Sequence, residues 1–175
     1  MAIRNVLRMG HPLLNQRAAE VEVFNTPELD RLVGDMLDTM QAEDGAGLAA
    51  PQIGISRRIV VFGFDHNPRY EDAPAVPRTV LINPHIRAMD ETMEDGWEGC
   101  LSVPEFRADV KRAAAITVEG HDRDGNPLKI DAEGILAIVL QHEIDHLNGT
   151  LFIEHISALK RQMYKRRVKK QLREK

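Results

Sequence analysis

DAEGILAIVLQHEIDHLNG, residues 131–149, is the stretch on which the fold turns. Ile135, Leu136, Ile138, Val139, Leu140, Ile144 and Leu147 are apolar around most of a helical circumference, which predicts a central, buried helix over 132–147. Asp131 is the expected N-cap, and Gly149 stands where it can end the helix. At 3.6 residues per turn, His142 and His146 leave the same face, with Glu143 beside them. Unpaired polar groups in such an interior cost ~1–3 kcal/mol each. A cation with its bound water would satisfy all three, and HExxH on a helix is the spacing of a metal-ligand pair with a general base.

Two imidazoles need a third ligand. The extended pattern HExxHxxGxxH is matched at Gly149 but has Phe152 in place of its last histidine. A glutamate from a following helix is also missing, since no acidic residue lies between Arg161 and Arg173. The candidates are His11, His66, His85, His121, His155 and the lone Cys100. His155, expected on a strand leaving the helix, would require the chain to fold straight back. Cys100 offers a strongly ligating thiolate from a glycine-bent segment, although a lone cysteine is by itself more often a small buried hydrophobe.

Around this helix the chain reads as one domain over 1–175, with 43% apolar residues to build a core. Residues 26–42 form an amphipathic helix capped by Thr26, with Pro27 in its first turn. GAGLAAPQIG (45–54), with three glycines and a proline, is expected to be neither helix nor regular central strand. Strands are expected at 57–64, at 79–84 where Pro84 ends the run, and at 98–104 with a bend at Gly99; residues 66–78 read as a polar loop. Asp124-Gly125 sets a hairpin within 114–130, and Ser157 starts a third helix with a weak stripe of Leu159, Met163, Val168 and Leu172. The order of elements predicts an α+β fold. One cysteine excludes an internal disulfide, the first residues hold no uninterrupted apolar run, and no stretch approaches the ~20 apolar residues of a membrane span, so a cytoplasmic protein without membrane or DNA partner is expected.

GAGLAAPQ (45–52), EGCLS (98–102) and QHEIDH (141–146), in this order and spacing, resemble the three signature motifs of the peptide deformylases. The resemblance spans nearly the whole chain. It implies antiparallel sheets packed around the HExxH helix and a hydrolase of protein biosynthesis, which removes the formyl group from N-terminal formyl-methionine and releases formate. It implies one metal ion, usually Fe(II), with zinc, nickel or cobalt able to replace it, held by Cys100, His142 and His146. It implies Glu143 as the proton carrier, the Leu101 N–H and the Gln52 amide as oxyanion donors, and a substrate site drawing on Gly45, Ala46, Gly47, Glu98, Arg107, Ile138, Val139 and His142. Ala46 departs from the bulkier residue common at its position, which implies a more open pocket wall.

A net charge of −4 hides an asymmetry: nine Lys/Arg and one acidic residue from Lys160 to Lys175 put +8 on the last helix, about 157–175, and −12 on the remainder. A basic tail suits a polyanion, and the resemblance implies the ribosome. The rival function from another class is a ribosome- or RNA-binding module whose HExxH is only structural. Bound metal separates the two.

Overall fold

The structure, a computed structural model, describes residues 2–174, so Lys175 lies outside the described residues, as does the side chain of Leu172. Helix α1 (Pro27–Ala42) starts where the sequence predicts: the Thr26 side chain accepts a hydrogen bond from the Leu29 N–H, and Pro27 occupies the first turn, where its missing N–H costs nothing. The GAGLAAPQIG segment resolves into a three-residue strand, β1 (Gly47–Ala49), followed by a 3₁₀ turn over Ala50–Ile53.

Strand β1 is the edge of a five-stranded antiparallel sheet, completed by β2 (Ile59–Phe64), β3 (Val76–Met89), β6 (Ala115–His121) and β7 (Pro127–Glu133) in the order β1-β2-β3-β6-β7. Every residue of β2, IVVFGF, is buried. Period-2 geometry explains that run: Ile59 and Val61 pack into a cluster with α1, whereas Val60 and Phe62 pack on the opposite face with helix α2 (Gly134–Leu147). A separate hairpin, β4 (Met93–Cys100) and β5 (Val103–Ala113), closes over α2, and its own core of Val103, Val110, Leu151, Phe152 and Ile153 completes the enclosure. The α+β class and the buried central helix are as expected.

Four expectations need correction. Pro84 does not end β3. The register to β6 shifts between Ile82 and His85, and Asn83 takes φ 52°, so Pro84 sits in an irregularity where the ladder demands no N–H from it. Asn83 makes that break useful, since its side-chain amide both donates to and accepts from the Val21 backbone and ties the N-terminal segment to the sheet. The acidic stretch before EGCLS is itself strand, paired from Met93 to Cys100 with β5, and the turn at Leu101-Ser102 divides what reads as one strand into two. Asp131 is not the cap of α2: it pairs with Thr117 in β7, and Glu133 occupies the N-cap position. The segment after α2 is a 3₁₀ turn, Phe152–His155, not a strand.

Helix α3 (Ala158–Arg173) begins at Ser157, whose hydroxyl accepts from the Lys160 N–H. Its inward face keeps only part of the predicted stripe, because Val168 packs against the hairpin core while Leu159 and Met163 are exposed. Tyr164 docks it. Its ring lies 4.5 Å from that of Phe106, and its hydroxyl donates to the Pro104 carbonyl at 3.0 Å. No described helix is long and apolar enough to cross a membrane.

Candidate active site

Three elements converge at one end of α2. The hairpin turn presents Cys100 from β4, α2 presents His142 and His146, and the 3₁₀ turn after β1 presents Gln52. One ligand atom from each of Cys100, His142 and His146 lies within 4.8 Å of the others, and all three residues are buried. Cys100 Sγ is 3.4 Å from His146 Nε2. The other histidines do not join this group, and His155 instead meets Asp145 at 2.9 Å.

The residues fit a metal ion on two observations. Soft sulfur with two imidazoles is a donor set suited to a borderline divalent transition metal. The Glu143 carboxylate beside them, 4% exposed, leaves Oε2 buried without a partner, which a metal-held water would supply. Burial, helped by the charges of Glu98 and Asp145, pushes the Glu143 carboxyl up to about 7 against the pull of His142 and Arg69. His146 is pushed down by burial and by the charge of His142. For His142 burial acts downward, but its contacts with Cys100 and Glu98 hold its pKa up.

Sequence reasoning missed what fixes His142. Its Nδ1 lies 2.9 Å from Glu98 Oε1, and Glu98 is gripped by Arg112 through two parallel bonds of 2.8 and 2.9 Å. Arg112 also donates to Asp145 at 2.7 Å. Although burial would raise the Glu98 carboxyl, Arg112 and His142 hold it below the usual range. Orienting a ligating imidazole through its second nitrogen fixes both tautomer and ring direction. Alternation along β5 turns Arg112 inward, but an arginine between exposed Lys111 and buried Ala113 carries no motif to reveal it. Gln141 was missed as well; its side chain bonds both backbone groups of Ala113 and clamps α2 to the hairpin.

Most of the residues proposed from the motifs line one pocket: Ala46, Gly47, Gln52, Glu98, Cys100, Leu101, Ile138, Val139, His142 and Glu143, with Gly99 between them. Two more, Arg69 and Tyr70, come from the loop after β2 and were not anticipated. Gly45 stays outside the lining, its side-chain position facing Leu101 Cδ1 at 3.1 Å. Arg107 lines the adjoining groove with Arg69, Gly99 and Cys100; its guanidinium carbon is 5.6 Å from the Tyr70 ring centre and 5.9 Å from that of Trp97, while Nε and one terminal nitrogen are buried without partners. Gly47 is required by space: a Cβ there would stand 2.7 Å from Glu143 Oε1. Gln52 accepts from the Ala49 N–H through Oε1 and donates to Ser102 Oγ at 3.1 Å, leaving only a long 3.6 Å contact to sulfur for its second hydrogen.

Comparison with known proteins meets this geometry. A family described as polypeptide deformylase matches residues 3–162. A peptide deformylase 2 from Ralstonia nicotianae is 55% identical over 150 residues, 86% of this chain and 85% of the relative. Among solved structures, a class I type b peptide deformylase from Acinetobacter baumannii with Met-Ala-Ser bound superposes with a TM-score of 0.86 at 39% identity, covering 89% of this chain and 99% of that one. A peptide deformylase from Ehrlichia chaffeensis in complex with actinonin gives 0.89 at 37% identity, covering 98% of both chains.

Proposed function

This chain belongs to the polypeptide deformylase family, metal-dependent hydrolases that remove the formyl group from formylated nascent peptides, and on that premise we propose how its own residues divide the work. The observation that carries the reading is the buried Cys100, His142 and His146 group with an unpartnered Glu143 carboxylate beside it. Bound there, a divalent ion supplies Lewis acidity toward a water and the formyl carbonyl. Fe(II) is the proposed native ion, on the family resemblance, with zinc, nickel or cobalt as substitutes. Anaerobic purification with elemental analysis identifies it.

Glu143 takes a proton from the attacking water at its free oxygen and returns it to the departing amine nitrogen, a role for which a carboxyl near 7 is poised. The second hydrogen of the Gln52 amide, held only by the long sulfur contact, turns to the oxyanion together with the Leu101 N–H. Glu98 and Arg112 keep His142 aimed. The open edge of β1 at Gly47, with Gly45 and Ala46 before it, receives the peptide backbone as an added strand, and the unpaired donors of Arg107 serve carbonyls further along. Ile138 and Val139, one α2 turn before the ligands, wall the pocket for the first side chain.

The purified protein is expected to release formate from formyl-Met-Ala-Ser and to leave unformylated Met-Ala-Ser intact. Cleavage of the second peptide's amide bonds would make it an ordinary peptidase. Activity toward neither, in metal-loaded protein, would overturn the assignment of these residues to the hydrolysis.

We further propose that the basic tail docks on the ribosome in the cytoplasm. The family match ends at residue 162, and beyond Val168 the cations Lys169, Lys170 and Arg173 are exposed. Tyr164 and Arg167, which donates to the Glu105 carbonyl, belong to the docked part of α3. The truncation that separates the roles therefore removes residues 169–175 and spares them. Such a variant is expected to lose salt-sensitive co-sedimentation with ribosomes while hydrolysing the short peptide at an unchanged rate. Undiminished ribosome binding would make the tail a solvated helix end, and lost peptide activity would make it part of the core.

A further inference from the structure

Ala46 leaves the pocket wall short of the bulk expected there, and the structure shows what stands beside it. Strand β2 ends in a bulge at Gly63, where φ is 126° and a Cβ would meet the Pro77 carbonyl at 2.5 Å. From it springs the loop that carries Tyr70. The loop is tied down: Asn67, 2% exposed, donates from its side chain to the Asp44 carbonyl at 3.1 Å and accepts from the Arg69 N–H at 2.9 Å, while the Tyr70 N–H donates to the Asn67 carbonyl at 3.0 Å. Asp44 is two residues before Ala46, so loop and motif are locked in register. The Tyr70 ring stacks near that of Phe64 at 6.4 Å, carries the Arg107 guanidinium, and packs against the core cluster that holds Ala46 and Val139. Across the pocket, Ile138 fills the room left by Gly96, where a Cβ would stand 2.8 Å from Ile138 Cδ1.

From this placement we infer that Tyr70 is a specificity-determining residue: its ring replaces the missing side-chain bulk at Ala46 and closes the pocket around an unbranched, methionine-sized side chain. The inference rests on the proposed deformylase reading. Small aliphatic wall plus aromatic loop residue gives a pocket closed by a ring anchored outside all three motifs. Arg107, supported by the same ring, couples the pocket wall to the groove that follows it.

The test compares formyl-Met-Ala-Ser with formyl-Phe-Ala-Ser as substrates, and Met-Ala-Ser with Phe-Ala-Ser as ligands by calorimetry. Tyr70→Phe keeps the ring and is expected to leave the preference for methionine unchanged. Tyr70→Ala is expected to shift the ratio of kcat/KM toward the phenylalanine substrate by at least ~10-fold, the scale on which small differences in pocket volume act. Tyr70→Leu, which retains apolar packing, should shift it in the same direction if the alanine variant fails to fold. Adding Ala46→Val to the Tyr70→Ala background should move the preference back toward methionine. Equal loss on both substrates in Tyr70→Ala and Tyr70→Leu, with calorimetric preference unmoved, would make the ring a structural prop and overturn the inference. A wild-type protein that hydrolyses neither formylated peptide would instead overturn the deformylase reading, while calorimetry still reports on the wall.

Discussion

Glu143→Gln is expected to lower kcat on formyl-Met-Ala-Ser by ~10²–10⁴-fold, the usual worth of a positioned general acid–base group, with metal content and fold intact. The substitution is nearly isosteric in a site with little room to adjust: the carboxylate is 4% exposed, and its Oε1 abuts the space over Gly47. An amide cannot accept the water's proton, so the chemical step suffers while Cys100, His142 and His146 are untouched. Replacing a buried carboxyl by a neutral group also removes a desolvation cost, so Tm should hold or rise. Elemental analysis, kcat and Tm on one preparation decide the matter. Metal lost together with activity would mean that Glu143 is a ligand, and a rate within tenfold of wild type would place the base elsewhere.

The parts of this fold legible in the sequence are those where one local signal faces no tertiary competitor. Thr26-Pro27 starts α1, Asp124-Gly125 turns the β6–β7 hairpin, and the all-round apolar pattern of α2 reports its burial between two sheets. The errors fall where a local rule was overruled by pairing. Pro84 is a strand breaker only if its N–H is needed, and the register shift between Ile82 and His85 removes the need. Residues 93–97, with two acidic residues and a glycine between Met93 and Trp97, give a weak strand signal, yet β5 supplies partners for all of them, and along β4 the alternate positions Gly96, Glu98 and Cys100 turn inward.

The site divides the same way. Its proposed ligands and base stand in motifs because the chemistry assigned to them admits few residue types, so the sequence displays them. Arg112 and Tyr70 do their work through where the backbone carries them: an arginine in mid-strand reaches Glu98 because β4 and β5 pair, and a loop tyrosine reaches the pocket because Asn67 pins its loop to Asp44. The cost of the buried guanidinium explains why it has two carboxylate partners. Breaking a buried ion pair on one side typically costs ~3–5 kcal/mol, so Glu98 and Asp145 are as much requirements of Arg112 as it is of them. The tail misled for a simpler reason, since one buried aromatic, Tyr164, docks α3 where a stripe of aliphatic residues was sought.

Cys100→Ser is expected to strip the centre of both metal and activity. A serine hydroxyl does not ionise near neutral pH and offers a hard, neutral oxygen where two imidazoles await a soft partner, so the affinity loss should exceed the ~10–100-fold that follows removal of an outer-sphere partner. The fold gives no reason to suffer: the turn at Leu101-Ser102 is held by the strand pairing of β4 with β5, and Gln52 keeps its bonds to Ala49 and Ser102 whichever atom replaces sulfur. The variant should therefore show a cooperative unfolding transition, lose its metal to dialysis against a mild chelator that leaves the wild type loaded, and hydrolyse formyl-Met-Ala-Ser only at background rate. With Fe(II) bound beside that thiolate, the wild-type centre is expected to lose activity in air, a loss that nickel in place of iron should slow. Full metal content and full rate in Cys100→Ser would reduce Cys100 to a small core residue, and the third ligand would then have to be sought away from the group that the structure brings together, since no other described histidine, cysteine or carboxylate completes one with His142 and His146.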